Sequence, residues 1–216
     1  AWKATNVTPQ KQDGFSAAWL KIAQGDVSSA EWTTLARLSR EFGNGFARTD
    51  FDQNLVFRWV ANTKLPALYA ELKKLGFADA GVHEITDVTS CPGTDSCKLG
   101  ITASMGANRA ISERVKQLDI VDPLTRQMHV KISGCPNGCG RHHLGDIGFQ
   151  GAAVKGVDGD QVPAYEVYIG GRYMGGDFRY AKRVSTKLPS KRVPDATERI
   201  IKYYESNRQD GERFDA

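Results

Sequence analysis

The sequence is poor in cysteine, in long apolar runs and in charge imbalance, and each shortage excludes a class of protein. Its four cysteines in 216 residues are too few for a disulfide-stapled secreted domain, which is usually smaller and richer in Cys. No apolar run approaches the roughly 20 residues that span a bilayer. The opening AWKATNVTPQKQDG is polar and lacks the apolar core of a signal peptide. No membrane partner and a cytoplasmic location are therefore expected. The chain also lacks an initiator Met, which suggests a processed chain or a fragment. A net charge of +4 is too small and diffuse to indicate nucleic acid, and suits at most a mildly anion-friendly surface. Low-complexity stretches, internal repeats and long linkers are missing too. What remains is an ordinary globular composition, with length for one large domain or two small ones.

Along the chain, Phe15, Ala17, Trp19 and Lys21 alternate like one face of a strand. Ser28 and Glu31 have capping-box spacing ahead of an apolar stripe of Trp32, Leu35, Leu38 and Phe42, with Gly43 as the stop. FARTDF and NLVFRWV read as strands. Thr63 is placed to cap a helix through Leu75, with Leu65, Leu68, Leu72 and Leu75 on one face and Gly76 at its end. Residues 1–80 thus read as a β-α-β-β-α layer of α+β type. Residues 81–216 open with a short strand, HEITDVT. A helix from about Lys98 and another over Asn108–Leu118 follow, then a strand over Met128–Ser133 and strands around Gly145–Val154 and Ala164–Ile169. Gly156–Gly159 reads as a surface turn. The C-terminal helix turns Val193, Ala196, Ile200, Ile201 and Tyr204 inward. Trp19, Trp32 and Trp59 read as core.

All four cysteines fall in two short motifs, TSCPGTDSCKLG and ISGCPNGCGRHHLGDIGF. Paired thiols in a chain without secretion signals favour metal or redox chemistry. A redox dithiol usually needs C-x-x-C, which neither Cys91-x5-Cys97 nor Cys135-x3-Cys139 supplies. Structural zinc prefers knuckles of two to four residues, so the x5 pair fits it poorly, and zinc stays open. Four soft thiolates on glycine-rich loops suit an iron–sulfur cluster. Gly93, Gly134, Gly138 and Gly140 allow sharp turns that present N–H groups to sulfur, and Pro92 and Pro136 restrain the loops.

The two motifs together resemble the iron–sulfur signature of the siroheme-dependent sulfite and nitrite reductases. The resemblance extends through PQKQDGF, RTDFDQNLVFRWV and VYIGGR to nearly the whole chain. It corresponds to the C-terminal half of those enzymes, a ferredoxin-like half-domain (1–80) followed by an α/β domain (81–216) whose mixed sheet carries the cluster loops. The resemblance implies a [4Fe–4S] cluster on Cys91, Cys97, Cys135 and Cys139, with Cys139 also bridging to the siroheme iron. It further implies six-electron reduction of sulfite to sulfide or nitrite to ammonia, with electrons from ferredoxin or a flavoprotein.

In this family a homologous second half supplies most of the basic residues around the anion. Where the substrate-binding copy of RTDFDQNLVFRWV carries a basic residue before its Gln, this chain carries Asp52. An acid there repels sulfite and nitrite, so the segment resembles the non-catalytic copy and no catalytic residue is assigned. Asn137 and Arg141 are cofactor-binding candidates, the latter because Arg pairs bidentately with carboxylates. The loop residues His142 and His143 read as structural ahead of any proton-transfer part. Lys187, Lys191 and Arg192 form a basic patch, either solvated surface or a dock for an acidic donor. Two other readings remain: a precorrin-3B synthase-like enzyme of the same superfamily, and a non-catalytic iron–sulfur or zinc scaffold or electron relay.

Overall fold

The computed structural model describes residues 1–174 and 176–216. They divide into two compact units, Ala1–His83 and Glu84–Ala216, each with its own hydrophobic core.

The first unit runs α1 (Trp2–Asn6), β1 (Val7–Pro9), β2 (Phe15–Leu20), α2 (Ser29–Phe42), β3 (Ala47–Thr49), β4 (Leu55–Ala61) and α3 (Leu65–Leu75). Its strands form an antiparallel sheet in the order β1-β2-β4-β3. Helix α2 begins at the expected capping box: Glu31 N–H donates to Ser28 Oγ, and the Glu31 carboxylate accepts from Ser28 N–H at 2.7 Å. Leu35, Leu38 and Phe42 are buried, but the first turn of the helix buries nothing and Trp32 stays 46% exposed. Trp19 and Trp59 are only half-buried, whereas Trp2 is core.

The alternation of β2 is as expected, and it is Ser16, Ala18 and Leu20, opposite Phe15, Ala17 and Trp19, that turn into the core. Alternation fixes the period of a strand, but with apolar residues on both faces it does not say which face is covered. Helix α3 is entered through a 3-10 turn, Asn62–Lys64, and has no side-chain cap, so Thr63 does not cap it. Pro66 opens the helix where a missing N–H costs nothing. Gly76 ends it in the left-handed region, φ 78°, its N–H returning to the Leu72 and Lys73 carbonyls.

The second unit runs β5 (Thr89–Ser90), α4 (Ser104–Gln117), α5 (Pro123–Arg126), β6 (Val130–Ser133), β7 (Ile147–Lys155), β8 (Gln161–Ile169), β9 (Lys182–Pro189) and α6 (Val193–Asn207). The sheet order is β5-β6-β7-β8-β9. Strands β5, β6 and β7 are parallel, and β7, β8 and β9 antiparallel, which makes the mixed sheet expected. All four residues of β6 are buried, as befits the middle of a parallel segment. Gly156–Gly159 turns the β7–β8 hairpin.

Of HEITDVT only Thr89 is strand, and the two helices expected after the first cysteine pair are one. Strand β9 escaped the sequence because its residues are mostly exposed and basic or polar, with no alternation to read. Helix α6 buries Val193, Thr197, Ile201 and Tyr204. Arg114 on α4 reaches its Asp195 and Glu198, both at 2.8 Å. Among the described residues no helix is long and apolar enough to cross a membrane.

Candidate metal and cofactor site

The two cysteine motifs, forty residues apart in sequence, become neighbours through one short parallel pairing. Thr89 faces Lys131 and Ser90 faces Ile132, so Cys91 leaves β5 beside the point where β6 delivers Gly134 and Cys135. Both loops therefore lie at the carboxyl ends of parallel strands, where open α/β sheets bind their ligands. The register is locked by Cys91 N–H donating to the Ile132 carbonyl at 3.1 Å.

The loops touch backbone to backbone. A Cβ on Gly134 would sit 2.7 Å from the Gly93 Cα, so only a residue without a side chain fits that approach. Gly93 itself has φ +57°, and a Cβ there would meet the Thr102 carbonyl at 2.4 Å. Ile101 and Thr102 N–H both donate to the Gly134 carbonyl, at 2.8 and 3.1 Å, while Cys97 N–H donates to the Gly93 carbonyl at 3.0 Å. The first motif is thus folded around the second by main-chain bonds.

All four cysteines are free thiols. Cys135 is buried, Cys91 half-buried, and Cys97 and Cys139 exposed. The Cys91 sulfur accepts Gly134 N–H at 3.1 Å and lies 3.4 Å from Ser104 Oγ. Ser104 was not anticipated; its hydroxyl donates to the Cys91 carbonyl at 2.6 Å from the start of α4. Ser133 was missed too: its Oγ accepts Gly140 N–H at 3.1 Å and lies 2.9 Å from His142 Nδ1. Neither serine stands out in a sequence, because a serine next to a Cys-Gly loop carries no periodic signal.

Of the other predicted positions, Asn137 is exposed at the tip of the second loop and Arg141 half-buried. Arg141 stands at φ 55°, ψ 37°, a left-handed conformation unusual for a residue with a Cβ. Its N–H closes a turn on the Gly138 carbonyl at 2.7 Å. His142 is buried, and that burial, aided by neighbouring His143, pushes its pKa down to about 4, so it is neutral near pH 7. His143 packs against Tyr180. Lys131, inside β6, is fully buried, with Nζ 4.5 Å above the Tyr173 ring.

The family model for the nitrite and sulphite reductase 4Fe-4S domain matches residues 81–216. That for the nitrite/sulfite reductase ferredoxin-like half domain matches residues 8–75. The chain belongs to the nitrite and sulphite reductase family. Among curated relatives, the chloroplastic ferredoxin–nitrite reductase of Zea mays is 33% identical over 187 residues, which is 86% of this chain and 32% of the relative. The sulfite reductase [ferredoxin] of Mycobacterium tuberculosis H37Rv is 29% identical over 206 residues, or 94% of this chain and 37% of the relative. The structure of the Mycobacterium tuberculosis NirA protein superposes with a TM-score of 0.84 at 26% identity, covering 98% of this chain and 39% of NirA. Dissimilatory sulfite reductase I shares the fold, with a TM-score of 0.72 at 12% identity over 93% of this chain and 65% of that one. The chain spans about a third of the length of the curated relatives it matches.

Enzymes of the family carry a [4Fe–4S] cluster and siroheme, and the donor set here fits the cluster. Four free thiols stand on two loops whose close contacts are glycine backbone. Tetrahedral zinc, with bonds of about 2.3 Å, would gather its sulfurs to about 3.8 Å. Among the described residues the group of three or more His, Cys, Asp or Glu that gathers within 4.8 Å is Asp50, Asp52 and His83, not the thiols. A cluster binds each thiolate to a different iron and so takes ligands spread more widely.

Proposed function

We propose that this chain is the C-terminal portion of a siroheme- and [4Fe–4S]-dependent reductase, working in the six-electron reduction of sulfite to sulfide or nitrite to ammonia. The observation that carries the reading is the β5–β6 pairing, which sets two cysteine loops side by side at the carboxyl ends of buried strands. In this reading residues 1–80 are the ferredoxin-like half-domain and 81–216 the cofactor domain. Cys91, Cys97, Cys135 and Cys139 hold the cluster, and Cys139 is also the link to the siroheme iron. Asn137, at the exposed loop tip, and Arg141, fixed by its left-handed turn, contact the cofactors.

When bound, the two cofactors supply single-electron delivery and an iron that is open to a small anion. The chain's own residues do the rest. Gly134 N–H holds the Cys91 sulfur, Ser104 stands beside it, and main-chain bonds to the Gly134 carbonyl keep the loops together. Ser133, bonded by Gly140 N–H, seats the end of the second loop next to Cys139. Neutral His142 braces Ser133 and adds no charge.

The reading includes a second, basic half for substrate binding, as the family resemblance implies. Asp52 supports it: it is buried, with Oδ2 3.0 Å from His83 Nδ1, so it faces a histidine of this unit. Ferredoxin, the donor in the relatives' names, is the donor proposed here. Free thiols suit the reducing cytoplasm.

The test is reduction of sulfite and of nitrite by the chain, driven by a chemically reduced low-potential donor, alone and mixed with a separately expressed basic half from a relative. Turnover that needs both halves and disappears in Cys139→Ser supports the reading. Turnover unaffected by Cys139→Ser overturns it. Equal loss of fold in all four Cys→Ser variants, with no siroheme in the wild type, assigns the thiols to a scaffold.

A further inference from the structure

In the first unit a second group of ligand-type side chains converges, none of them a cysteine. Asp50, Asp52 and His83 each bring one ligand atom to within 4.8 Å of the others. Two of the three arrive through the turn between β3 and β4, and the third comes from the end of the segment that follows α3.

The turn is built to hold Asp50 still. Its Oδ1 accepts Asp52 N–H at 2.9 Å and Asn54 N–H at 2.7 Å, and Asp50 N–H donates to the Asn54 carbonyl at 3.0 Å. With Oδ1 committed, Oδ2 has one direction left, and there it is buried without a hydrogen-bond partner. Its nearest opposite charge is His83 Nε2 at 3.5 Å, an ion-pair distance rather than a bond. The Asp50 and Asp52 side chains are only 9% and 2% exposed, while the His83 ring is 25% exposed and edge-on to Trp19 at 4.9 Å.

Two carboxylates this close and this dry repel each other and lack their water shell. His83 stands at ion-pair distance from both carboxylates, yet Asp50 Oδ2 is left without a hydrogen bond. A divalent cation cancels both charges and gives that oxygen a bond. Bonds of about 2.0–2.2 Å would bring the three ligand atoms to about 3–3.4 Å, a contraction that side-chain rotation can supply. The partly exposed histidine edge leaves an entry from solvent.

We propose that Asp50, Asp52 and His83 form a binding site for a first-row divalent metal ion of the Mn²⁺ or Zn²⁺ class, separate from the four thiols. Mixed carboxylate and imidazole ligands suit this class. The ion ties the β3–β4 turn to the end of the unit, and it acts whether or not the proposed reductase function holds.

The test is a titration with Mn²⁺, a hard ion that avoids thiolates. Loss of the free-ion signal in electron paramagnetic resonance is followed on the protein as isolated anaerobically. The expected result is one Mn²⁺ bound per chain, weakened at least tenfold by Asp50→Asn and by His83→Gln. Asp50→Asn keeps a side-chain carbonyl for the two backbone donors of the turn, so it removes a ligand charge without removing the turn. Failure to retain Mn²⁺ at millimolar concentration, or equal binding in Asp50→Asn and His83→Gln, would overturn the site.

Discussion

A single methyl group at Gly140 should disturb both cysteine pairs at once. A Cβ there would lie 1.8 Å from the carbonyl oxygen of Ile132. Real contacts of that kind essentially never fall below 3.0 Å, so the backbone must open by at least about 1.2 Å. That same oxygen accepts the Cys91 N–H bond which locks the first loop to β6, and Gly140 N–H is itself bonded to Ser133 beside the second loop. Overpacking costs about 1–3 kcal/mol and a lost hydrogen bond about 1 kcal/mol, so Gly140→Ala should destabilise the unit by roughly 2–4 kcal/mol.

The comparison variant is Gly106→Ala, inside α4, where the new Cβ meets nothing closer than Ala103 Cβ at 3.8 Å. Helix propensity alone makes that change stabilising by about 0.5–1 kcal/mol. Urea unfolding of both variants, with iron per chain measured alongside, gives the two signs in one experiment. A cost below about 1 kcal/mol for Gly140→Ala, with iron retained in full, would refute the claim that the loops are registered through Ile132.

Two further outcomes can be checked by the same methods. Ser28→Ala removes the capping box of α2 and should cost about 1 kcal/mol in the urea midpoint, leaving the cofactor spectrum unchanged. His142 is held neutral, with a pKa near 4 against an ordinary 6.5. Its folded pKa is depressed, so the unfolded chain takes up its proton first. Its contribution is full above pH 6.5 and is lost progressively between pH 6.5 and about 4. The melting temperature of the wild type should therefore fall more steeply over that window than that of His142→Gln; parallel profiles would contradict a buried neutral imidazole.

Features that repeat or pair at fixed spacing were legible in the sequence. The Ser28–Glu31 box, the Leu65–Leu68–Leu72 face of α3, the Gly76 stop and the buried strand before Cys135 all read correctly because each rests on local geometry. The α+β class followed from the order of those elements, and the family from the cysteine motifs. What stayed hidden depends on partners distant in sequence. Trp32 sits at the right helical spacing yet lies on a turn that covers nothing, while Trp2 at the terminus is core. Strand β9 exists because β8 offers it a ladder, not because its own residues alternate. Ser104 and Ser133 acquire their parts only once the β5–β6 pairing brings residues 91 and 134 together. The convergence of Asp50, Asp52 and His83 is likewise a product of folding: the sequence offers Asp52 as an odd acid, and the fold supplies its partners.

If four thiols on two loops hold a cluster joined to siroheme, the absorption spectrum of the anaerobically purified protein will show both groups. The expected spectrum has siroheme bands over an iron–sulfur shoulder, with about four irons in the cluster and loss of the siroheme coupling in Cys139→Ser. A featureless spectrum from well-folded protein, or a cluster that persists unchanged when Cys91, Cys97 or Cys135 is replaced by Ser, would contradict it.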